Sequence, residues 1–289
     1  MVVLGNAEIW RVEELRMRAP LSIMTEDKAL IDQHRDWLAP DFLGDDEQCD
    51  FVFQSWLLQL DGRIVLIDPC TGNGRPHPMP VFDHLDIPFI ERFEATGIRP
   101  EQVDYVFCTH FHHDHCGWNT QLRDGRYVPT FPRARYIFVQ REYERWDPRR
   151  PGYREVDYNI GVFERSVLPV MEAGLAELVG DNHRILPGLE VQPAHGHTGG
   201  HSILHLTTRA DQAYFTGDLF HHPLQMIYPA LHMPGCDDLQ QAIESRRRAV
   251  SLALESHALL IPAHFPAPHM GRLRQQHGIV RFEKLTNEG

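Results

Sequence analysis

A run of histidines with one aspartate follows a short apolar segment in the first half of the chain. Residues 109–117 read Thr-His-Phe-His-His-Asp-His-Cys-Gly. Imidazole and carboxylate groups are the usual ligands of Zn²⁺ and of other divalent first-row metals. His110 and His112 are two residues apart, so a locally extended backbone would turn both rings to the same side. The stretch predicts a metal site, although a histidine-rich surface loop would have the same composition.

Three further candidate ligands follow predicted strands later in the chain. They are His197 after Leu189–Pro193, Asp218 after Ala213–Thr216 and His264 after Leu259–Pro262. The first stretch also contributes Asp114 and His115, which offer an oxygen and a nitrogen close to the first two histidines. Residues 109–117 also follow a predicted strand, because the apolar run 103–107 before them is typical of a buried strand. Ligands that arrive at several strand ends favour a metal site over a solvated loop.

The order of these residues resembles the metallo-β-lactamase superfamily, over about residues 51–264. The resemblance implies an α+β fold, a four-layer αββα sandwich, with a two-metal site at the strand ends. It assigns one metal to His110, His112 and His197, the other to Asp114, His115 and His264, and a bridging position to Asp218. The cofactors would be two divalent ions, with Zn first and Mn, Fe or Co also suited to such ligands. One departure from the family pattern is Gly199, where proline is usual.

The resemblance also implies a metal-dependent hydrolase in which a hydroxide that bridges the metals attacks a lactone or ester bond. Asp218 favours lactonase, phosphotriesterase and glyoxalase-type members, because true β-lactamases of the family lack a bridging aspartate. The chain looks most like the acyl-homoserine lactonases. The alternative is a phosphotriesterase similar to methyl parathion hydrolase.

The expected catalytic residues are Asp114, Asp218 and His221. In the lactonases a tyrosine usually stands three residues after the bridging aspartate, and here that place is taken by His221. An imidazole could hydrogen-bond the substrate or protonate the leaving group, since its ordinary pKa lies near neutrality. The alternative is that His221 only packs against the wall of the pocket.

Two other classes of function fit the same ligands less well. A diiron redox protein of this fold normally carries an additional flavodoxin-like domain, and the chain ends soon after His264. A non-catalytic metal-binding scaffold would be expected to have lost ligands, and none is missing from the pattern.

Composition narrows the range of partners. The 289 residues are 42% hydrophobic and 24% charged, which is typical of a globular protein. The net charge of −12 opposes binding to nucleic acid. The five scattered cysteines fit a reducing compartment, and we find neither a signal peptide nor an 18-residue apolar run. We therefore expect a cytoplasmic enzyme with a small-molecule substrate and with no nucleic-acid or membrane partner.

Periodicity predicts one domain over residues 1–289, with an N-terminal extension of about residues 1–50. A helix from about Thr25 to Leu38 in this extension could cover part of the site or form a homodimer contact, although packing on its own core is the simplest role. The other main elements are a strand over 7–17, a hairpin through Asp61-Gly62, a loop over 119–132, a helix over 153–178 kinked at Pro169, and a helix over 238–255.

The remaining histidines near the motifs are not assigned to the metals. His113 should point away from His112 if the backbone is extended. His201 is expected behind the ligands, where it would orient one of them or fill space. His195 and His269 are weaker candidates than His197 and His264.

Overall fold

The computed structural model describes residues 1–276 and 278–285. The chain divides into two compact units. The first comprises Met1–Leu15, Phe53–Ile185 and Thr208–Ala210, and the second comprises Arg16–Val52, Leu186–Thr207 and Asp211–Gly289. The predicted extension contributes to both units, and the prediction of a single domain stays a prediction.

Strands and helices are interspersed along the described chain. The strands are β1 (Val2–Leu4), β2 (Ala7–Pro20), β3 (Gln48–Leu60), β4 (Arg63–Ile67), β5 (Tyr105–Phe107), β6 (Thr120–Arg123), β7 (Arg126–Pro129), β8 (Arg135–Val139), β9 (Ala176–Val179), β10 (Arg184–Leu186), β11 (Leu189–Pro193), β12 (Ser202–Thr207), β13 (Gln212–Gly217), β14 (Leu259–Pro262), β15 (Gly271–Gln276) and β16 (Ile279–Lys284). The helices are α1 (Lys28–Leu38), α2 (Phe89–Glu94), α3 (His113–Cys116), α4 (Gln140–Trp146), α5 (Leu168–Glu172), α6 (Leu224–Ile227) and α7 (Leu239–Ser256). Over residues 1–276 and 278–285 they form two seven-stranded sheets, in the orders β1-β2-β3-β4-β5-β8-β9 and β10-β11-β12-β13-β14-β15-β16, and β6 pairs with β7.

The first sheet leads into the histidine run. β3 and β4 form the predicted hairpin, with Asp61 and Gly62 at positive φ in the turn. β4, β5 and β8 then pair in parallel, and Val106 and Phe107 of β5 are fully buried. A parallel strand buried on both faces reads as a continuous apolar run, which is why β5 could be predicted. The end of β5 therefore brings the residues that follow to a rigid sheet edge.

The second sheet places three candidate ligands just after its strands. β11, β12 and β13 are antiparallel, and β13 pairs in parallel with β14. His197 lies in the loop between β11 and β12, Asp218 directly follows β13, and His264 lies shortly after β14. The register of β13 against β14 shifts between Phe215 and Gly217, and such an irregularity redirects the chain where it leaves the strand.

Helix α7 holds the segment that follows Asp218. It lies within one residue of the predicted bounds at each end, and its cap is the Asp238 side chain, which accepts a hydrogen bond from the Gln241 N–H at 3.0 Å. Arg246 is buried and donates to the carbonyl oxygens of Leu219, Pro229 and Leu231 at 2.8 Å each. A fully buried guanidinium is costly unless it is hydrogen-bonded, so these contacts fix the loop geometry.

The helix predicted over residues 153–178 is wrong over most of its length. The structure instead has a 3₁₀ turn at Asp157–Asn159, a π-helical turn at Phe163–Val167, then α5 and β9. Gly161 and Gly174 have φ values of +68° and +70°, which interrupt helical segments. Pro169 lies in the first turn of α5, where its missing N–H has no intrahelical partner to lose.

Two hairpins were not predicted. The segment predicted as a loop over residues 119–132 contains β6 and β7, joined by Asp124-Gly125 at positive φ. β15 and β16 pair near the end of the described chain, over Gly271–Gln276 and Ile279–Lys284. Both strands are rich in charged side chains, so their apolar alternation is weak.

Helix α1 confirms the predicted amphipathic segment but begins at Lys28, three residues after Thr25. The cap is Asp27, whose side chain accepts from the Leu30 N–H at 3.1 Å. Thr25 lies two residues earlier, and its hydroxyl oxygen accepts from the Asp27 N–H at 3.2 Å.

In the part of the chain that the structure describes, none of the helices combines the length and the apolar character needed to cross a bilayer. The 18-residue helix α7 carries three consecutive arginines, at 246–248. The predicted cytoplasmic location is not tested by this observation and stays a prediction.

Candidate metal centre

The first pair of candidate ligands lies just beyond β5. His110 and His112 are buried, and Nε2 of His110 lies 2.9 Å from Nδ1 of His112. The Thr109 hydroxyl donates to Asp68 at 2.9 Å, so its oxygen is left to accept from Nδ1 of His110 at 3.0 Å. These partners place the His110 proton on Nδ1. The lone pair on its Nε2 therefore faces His112.

Asp68 organises this part of the first unit, and sequence reasoning assigned it only the end of a strand. The residue is 2% exposed, and Oδ1 accepts from the Thr109 N–H at 2.7 Å. Oδ2 lies 3.1 Å from Nδ1 of His115. Asp68 thereby contacts both Thr109, which supports His110, and the candidate ligand His115, as carboxylates behind metal-binding histidines commonly do. The sequence signal that could have indicated this supporting role is the position of Asp68 directly after β4.

Asp114 and His115 lie on the short helix α3 and not on an extended loop. His112 is the residue before the helix, and the backbone therefore changes from extended to helical within the motif. Nε2 of His115 lies 3.5 Å from Oδ2 of Asp114, and its ring centre lies 4.1 Å from that of His110. His113 is half-buried and its ring packs against His77 at 4.2 Å, so the strand-alternation argument for it does not apply.

The backbone between the first two histidines is held on both sides. The Phe111 N–H donates to the buried carboxylate of Glu142 at 2.9 Å. The Phe111 carbonyl accepts from Nδ2 of Asn159 at 2.9 Å. Glu142 also accepts from the indole N–H of Trp146 at 2.7 Å. Sequence reasoning missed Glu142 and Asn159, because nothing in their local sequence indicates a contact with residues 31 or 48 positions away.

In the second unit, the carboxylate of Asp218 lies among three imidazole rings. Oδ1 lies 2.9 Å from Nε2 of His264. Oδ2 lies 3.2 Å from Nε2 of His197 and 3.0 Å from Nε2 of His221. All four side chains are buried. Each carboxylate oxygen is therefore directed at a different candidate ligand.

The contact between His264 and Asp218 calls for a cation. Nδ1 of His264 lies 3.0 Å from the carbonyl oxygen of Val52, which can only accept a hydrogen bond, so the His264 proton belongs on Nδ1. In the neutral ring the lone pair of Nε2 then faces Oδ1 of Asp218. Two lone pairs at this distance repel unless a proton or a metal ion lies with them. The donor chemistry of this buried group thus fits a divalent ion.

A second histidine orients Asp218 from behind. Nδ1 of His201 donates to the Ala194 carbonyl at 3.1 Å, so its Nε2 accepts the Asp218 N–H at 3.2 Å. This is the supporting position predicted for His201. Its contact fixes the backbone at the point where Asp218 leaves β13.

His221 lies inside the group and not at its edge. Its ring stacks on that of His264, with centres 5.6 Å apart and an interplanar angle of 10°. The donor atoms of Asp218, His221 and His264 lie within 4.8 Å of one another, so these three side chains could themselves hold a metal ion. Burial lowers the pKa of His221 to about 4, while the Asp218 carboxylate acts in the opposite direction.

Both units therefore gather their share of the predicted ligands. The first brings together His110, His112, Asp114 and His115, and the second brings together His197, Asp218 and His264. The rejected alternatives make other contacts. The His195 carbonyl accepts from Ser245, and Nδ1 of His269 lies 2.9 Å from the Phe265 carbonyl.

The sequence also matches a family model. The model described as the metallo-beta-lactamase superfamily matches residues 54–264. The chain belongs to the metallo-β-lactamase superfamily. The predicted family and its α+β sandwich fold are confirmed, and so is the prediction of a metal-dependent hydrolase at this level.

Several solved structures resemble the chain in fold. AbOPH, a hydrolase in the beta lactamase superfamily, is 20% identical with a TM-score of 0.81, covering 100% of this chain and 97% of that one. AidC, a dizinc quorum-quenching lactonase in complex with the product N-hexnoyl-L-homoserine, is 16% identical with a TM-score of 0.78 and the same coverage. A probable metal-dependent hydrolase from Staphylococcus aureus is 18% identical with a TM-score of 0.68, covering 91% of each chain. No curated protein matches the sequence.

Proposed function

We propose that the chain is a dinuclear metal-dependent hydrolase that acts on lactones and related esters. The proposed centre holds one divalent ion through His110, His112 and His197, holds the other through Asp114, His115 and His264, and shares Asp218 between them. Zn²⁺ is the first candidate metal because the ligand set is imidazole and carboxylate.

The observation that carries this proposal is the orientation of the Asp218 carboxylate. Oδ1 faces His264 and Oδ2 faces His197, the two histidines that we assign to different ions. A carboxylate that turns one oxygen to each histidine is suited to bridge two cations. Two dications in one site repel each other, and a shared negative charge offsets part of that repulsion.

The ligands of the first unit fall into two groups in the same way. His110 and His112 turn ring nitrogens towards each other, while Asp114 and His115 form a second pair on α3. The tautomers of His110 and His264 are both fixed with the proton on Nδ1, which leaves Nε2 as a ligand atom in each. A neutral imidazole with a fixed tautomer is the form that binds divalent metals.

When bound, two divalent ions would polarise the substrate carbonyl and supply a water of lowered pKa for attack. The residues of the chain provide the position and the surroundings of that chemistry. Burial of the ligands keeps bulk water away from their charges, which strengthens every electrostatic contact in the site. Asp68, Glu142 and His201 hold the ligand-bearing segments, so the site needs little rearrangement.

Lactones are the favoured substrates because of the fold and the bridging aspartate. AidC, which has this fold, is a dizinc lactonase with a homoserine product bound. Phosphotriesters are the second candidate, and one observation favours them: His221 stands where lactonases usually have tyrosine. A small-molecule substrate, a cytoplasmic location and a homodimer remain part of the proposal.

Metal analysis combined with a hydrolysis panel tests the proposed function. Protein purified without chelator should contain close to two metal equivalents, and should hydrolyse lactones or phosphotriesters far faster than penicillins. Asp218→Asn should lose at least about 100-fold in kcat/KM, since even partners behind the ligands often cost 10–100-fold. Asp86→Asn, at an exposed position, is the control.

Two results would contradict the proposal. A stable content near one equivalent with full activity would exclude the dinuclear centre. If penicillins were the best substrates, the proposed assignment to the lactonases and phosphotriesterases of the superfamily would be wrong.

A further inference from the structure

The turn Asp157–Asn159 reaches the first pair of candidate ligands with two consecutive side chains. Asn159 is buried and holds the Phe111 carbonyl between the two histidines. The hydroxyl of Tyr158 lies 3.4 Å from Nε2 of His112, and the two rings meet edge to face at 5.3 Å. Tyr158 is thus placed against the side of the imidazole that lies away from His110.

The backbone of the same turn is tied to a separate loop. Nε2 of His77 donates to the carbonyl oxygen of Tyr158 at 2.9 Å. His77 is itself held, because its N–H donates to Asp83 at 2.8 Å and its ring packs edge to face on Phe82. The position of Tyr158 is therefore set by its surroundings and does not depend on the hydroxyl contact alone.

The two ring nitrogens of His112 have different tasks. Nδ1 lies 2.9 Å from Nε2 of His110, which carries a lone pair, so without a cation Nδ1 must carry the proton and donate it. When both nitrogens of the pair serve as ligands, Nδ1 must be unprotonated and the His112 proton moves to Nε2. That N–H then requires an acceptor, and a hydroxyl is suited to the task because it can either donate or accept.

We propose that Tyr158 is a positioning residue that stabilises the His112 tautomer needed for cation binding. This inference rests on the proposed metal centre. In the loaded form the Tyr158 oxygen accepts the N–H of Nε2, which also fixes the rotation of the ring. Without that acceptor, a buried N–H would lose its partner each time the ion binds.

Tyr158→Phe tests the proposal, because phenylalanine keeps the ring contact with His112 and removes only the acceptor. We would titrate metal-depleted protein with Zn²⁺ in competition with a chromophoric chelator and fit two dissociation constants. One constant should rise about 10–100-fold while the other stays within about twofold of wild type. The unfolding midpoint of the metal-depleted variant should fall by no more than the loss of this one hydroxyl contact, which Tyr158 makes as a donor when no cation is bound. Tyr153→Phe, in the same segment, is the matched control and should match wild type in both constants.

Three outcomes would overturn the inference. Unchanged constants for both ions, with two ions still bound by wild type, would remove the role of Tyr158 and leave the proposed function intact. Equal weakening of both sites with a lower unfolding midpoint would show a general structural role. Failure of wild type to bind two ions would overturn the proposed centre itself, and the inference with it.

Discussion

Nε2 of His221 lies 3.0 Å from Oδ2 of Asp218, and this contact restricts what His221 can do. A neutral ring that donates from Nε2 has no proton on Nδ1. Among the described residues, Nδ1 is buried without a hydrogen-bond partner. Because burial lowers the pKa of His221 to about 4, the ring is neutral at pH 7. His221 is therefore better placed to orient Asp218 than to protonate a leaving group, although its direct contact with substrate stays a prediction.

Substitutions at His221 should separate these roles. His221→Ala should keep two metal equivalents and lose about 100-fold in kcat/KM. His221→Gln should recover most of that loss if the role is orientation, since its amide can still donate to Asp218. A loss that grows with poorer leaving groups, and that glutamine does not repair, would instead support the predicted proton transfer. Loss of one metal in both variants would make His221 a ligand.

Replacement of Asp68 by asparagine should weaken metal binding without changing a ligand. Asp68 receives the N–H and the hydroxyl of Thr109 on different oxygens and lies beside His115. An amide has only one acceptor oxygen, so at least one donor loses its partner. We expect a 10–100-fold rise in the dissociation constant of at least one ion, measured by chelator competition.

The control for Asp68 is Asp104→Asn. Asp104 also accepts a backbone N–H, that of Ile64 at 2.9 Å, but it pairs with the exposed Arg63 and not with a candidate ligand. Its substitution should leave both metal constants unchanged. Equal effects in the two variants would refute a specific role for Asp68.

The free energy of unfolding should fall in mild acid because His222 is buried in its neutral form. Burial lowers the pKa of His222 to about 4; its Nε2 donates to the Phe42 carbonyl at 3.0 Å and its Nδ1 accepts from the Leu224 N–H at 3.2 Å. The unfolded chain, with an ordinary pKa near 6.5, binds the proton more readily. The stability that depends on neutral His222 is complete above about pH 6.5 and is lost progressively as the pH falls towards 4.

Urea unfolding of wild type and His222→Gln at pH 7 and pH 5 measures this effect. Glutamine does not titrate, and all other groups are common to both proteins. Between the two pH values, the free energy of unfolding of wild type should fall by about 2 kcal/mol more than that of the variant. Parallel pH profiles would show that His222 is not the group responsible.

The strands and the ligands could be predicted because their signals are local. Short apolar runs marked β4, β5 and β14, and the Asp61-Gly62 turn fixed the first hairpin. The helix predicted over 153–178 does not form because Gly161 and Gly174, both at positive φ, interrupt a segment whose apolar residues have helical spacing. The Asp124-Gly125 hairpin has the same turn sequence as the Asp61-Gly62 hairpin, but its strands are short and rich in polar residues.

The supporting residues of the site could not be read from the sequence. Glu142 and Asn159 reach Phe111 only because the chain folds back over it, and no local pattern specifies that return. The tautomers of His110 and His264 depend on Thr109 and on the Val52 carbonyl in the same way. Residue types predicted which side chains could bind metal, while tertiary contacts decide which nitrogen each one offers.

Gly199, which stands where the family usually has proline, makes a hydrogen bond through its backbone N–H. Its N–H donates to Oδ2 of Asp237 at 3.0 Å, and the Asp237 N–H in turn donates to the His197 carbonyl at 3.0 Å. Asp237 therefore links both sides of the turn that carries His197. Proline, usual at this place in the family, has no N–H and could not form the first of these links.

Gly199→Pro should accordingly be harmful here, although it restores the family pattern. The variant loses a hydrogen bond to a carboxylate at an exposed site, for which we expect a loss of about 1 kcal/mol in the free energy of unfolding and weaker binding of the ion that uses His197. Gly199→Ala keeps the N–H and should lose less. A double-mutant cycle with Asp237→Ala isolates the link: if it is responsible, Gly199→Pro should cost little once Asp237 is gone. If Gly199→Pro lowered the free energy of unfolding equally in the Asp237→Ala protein, proline would act through backbone strain at Thr198 and not through Asp237.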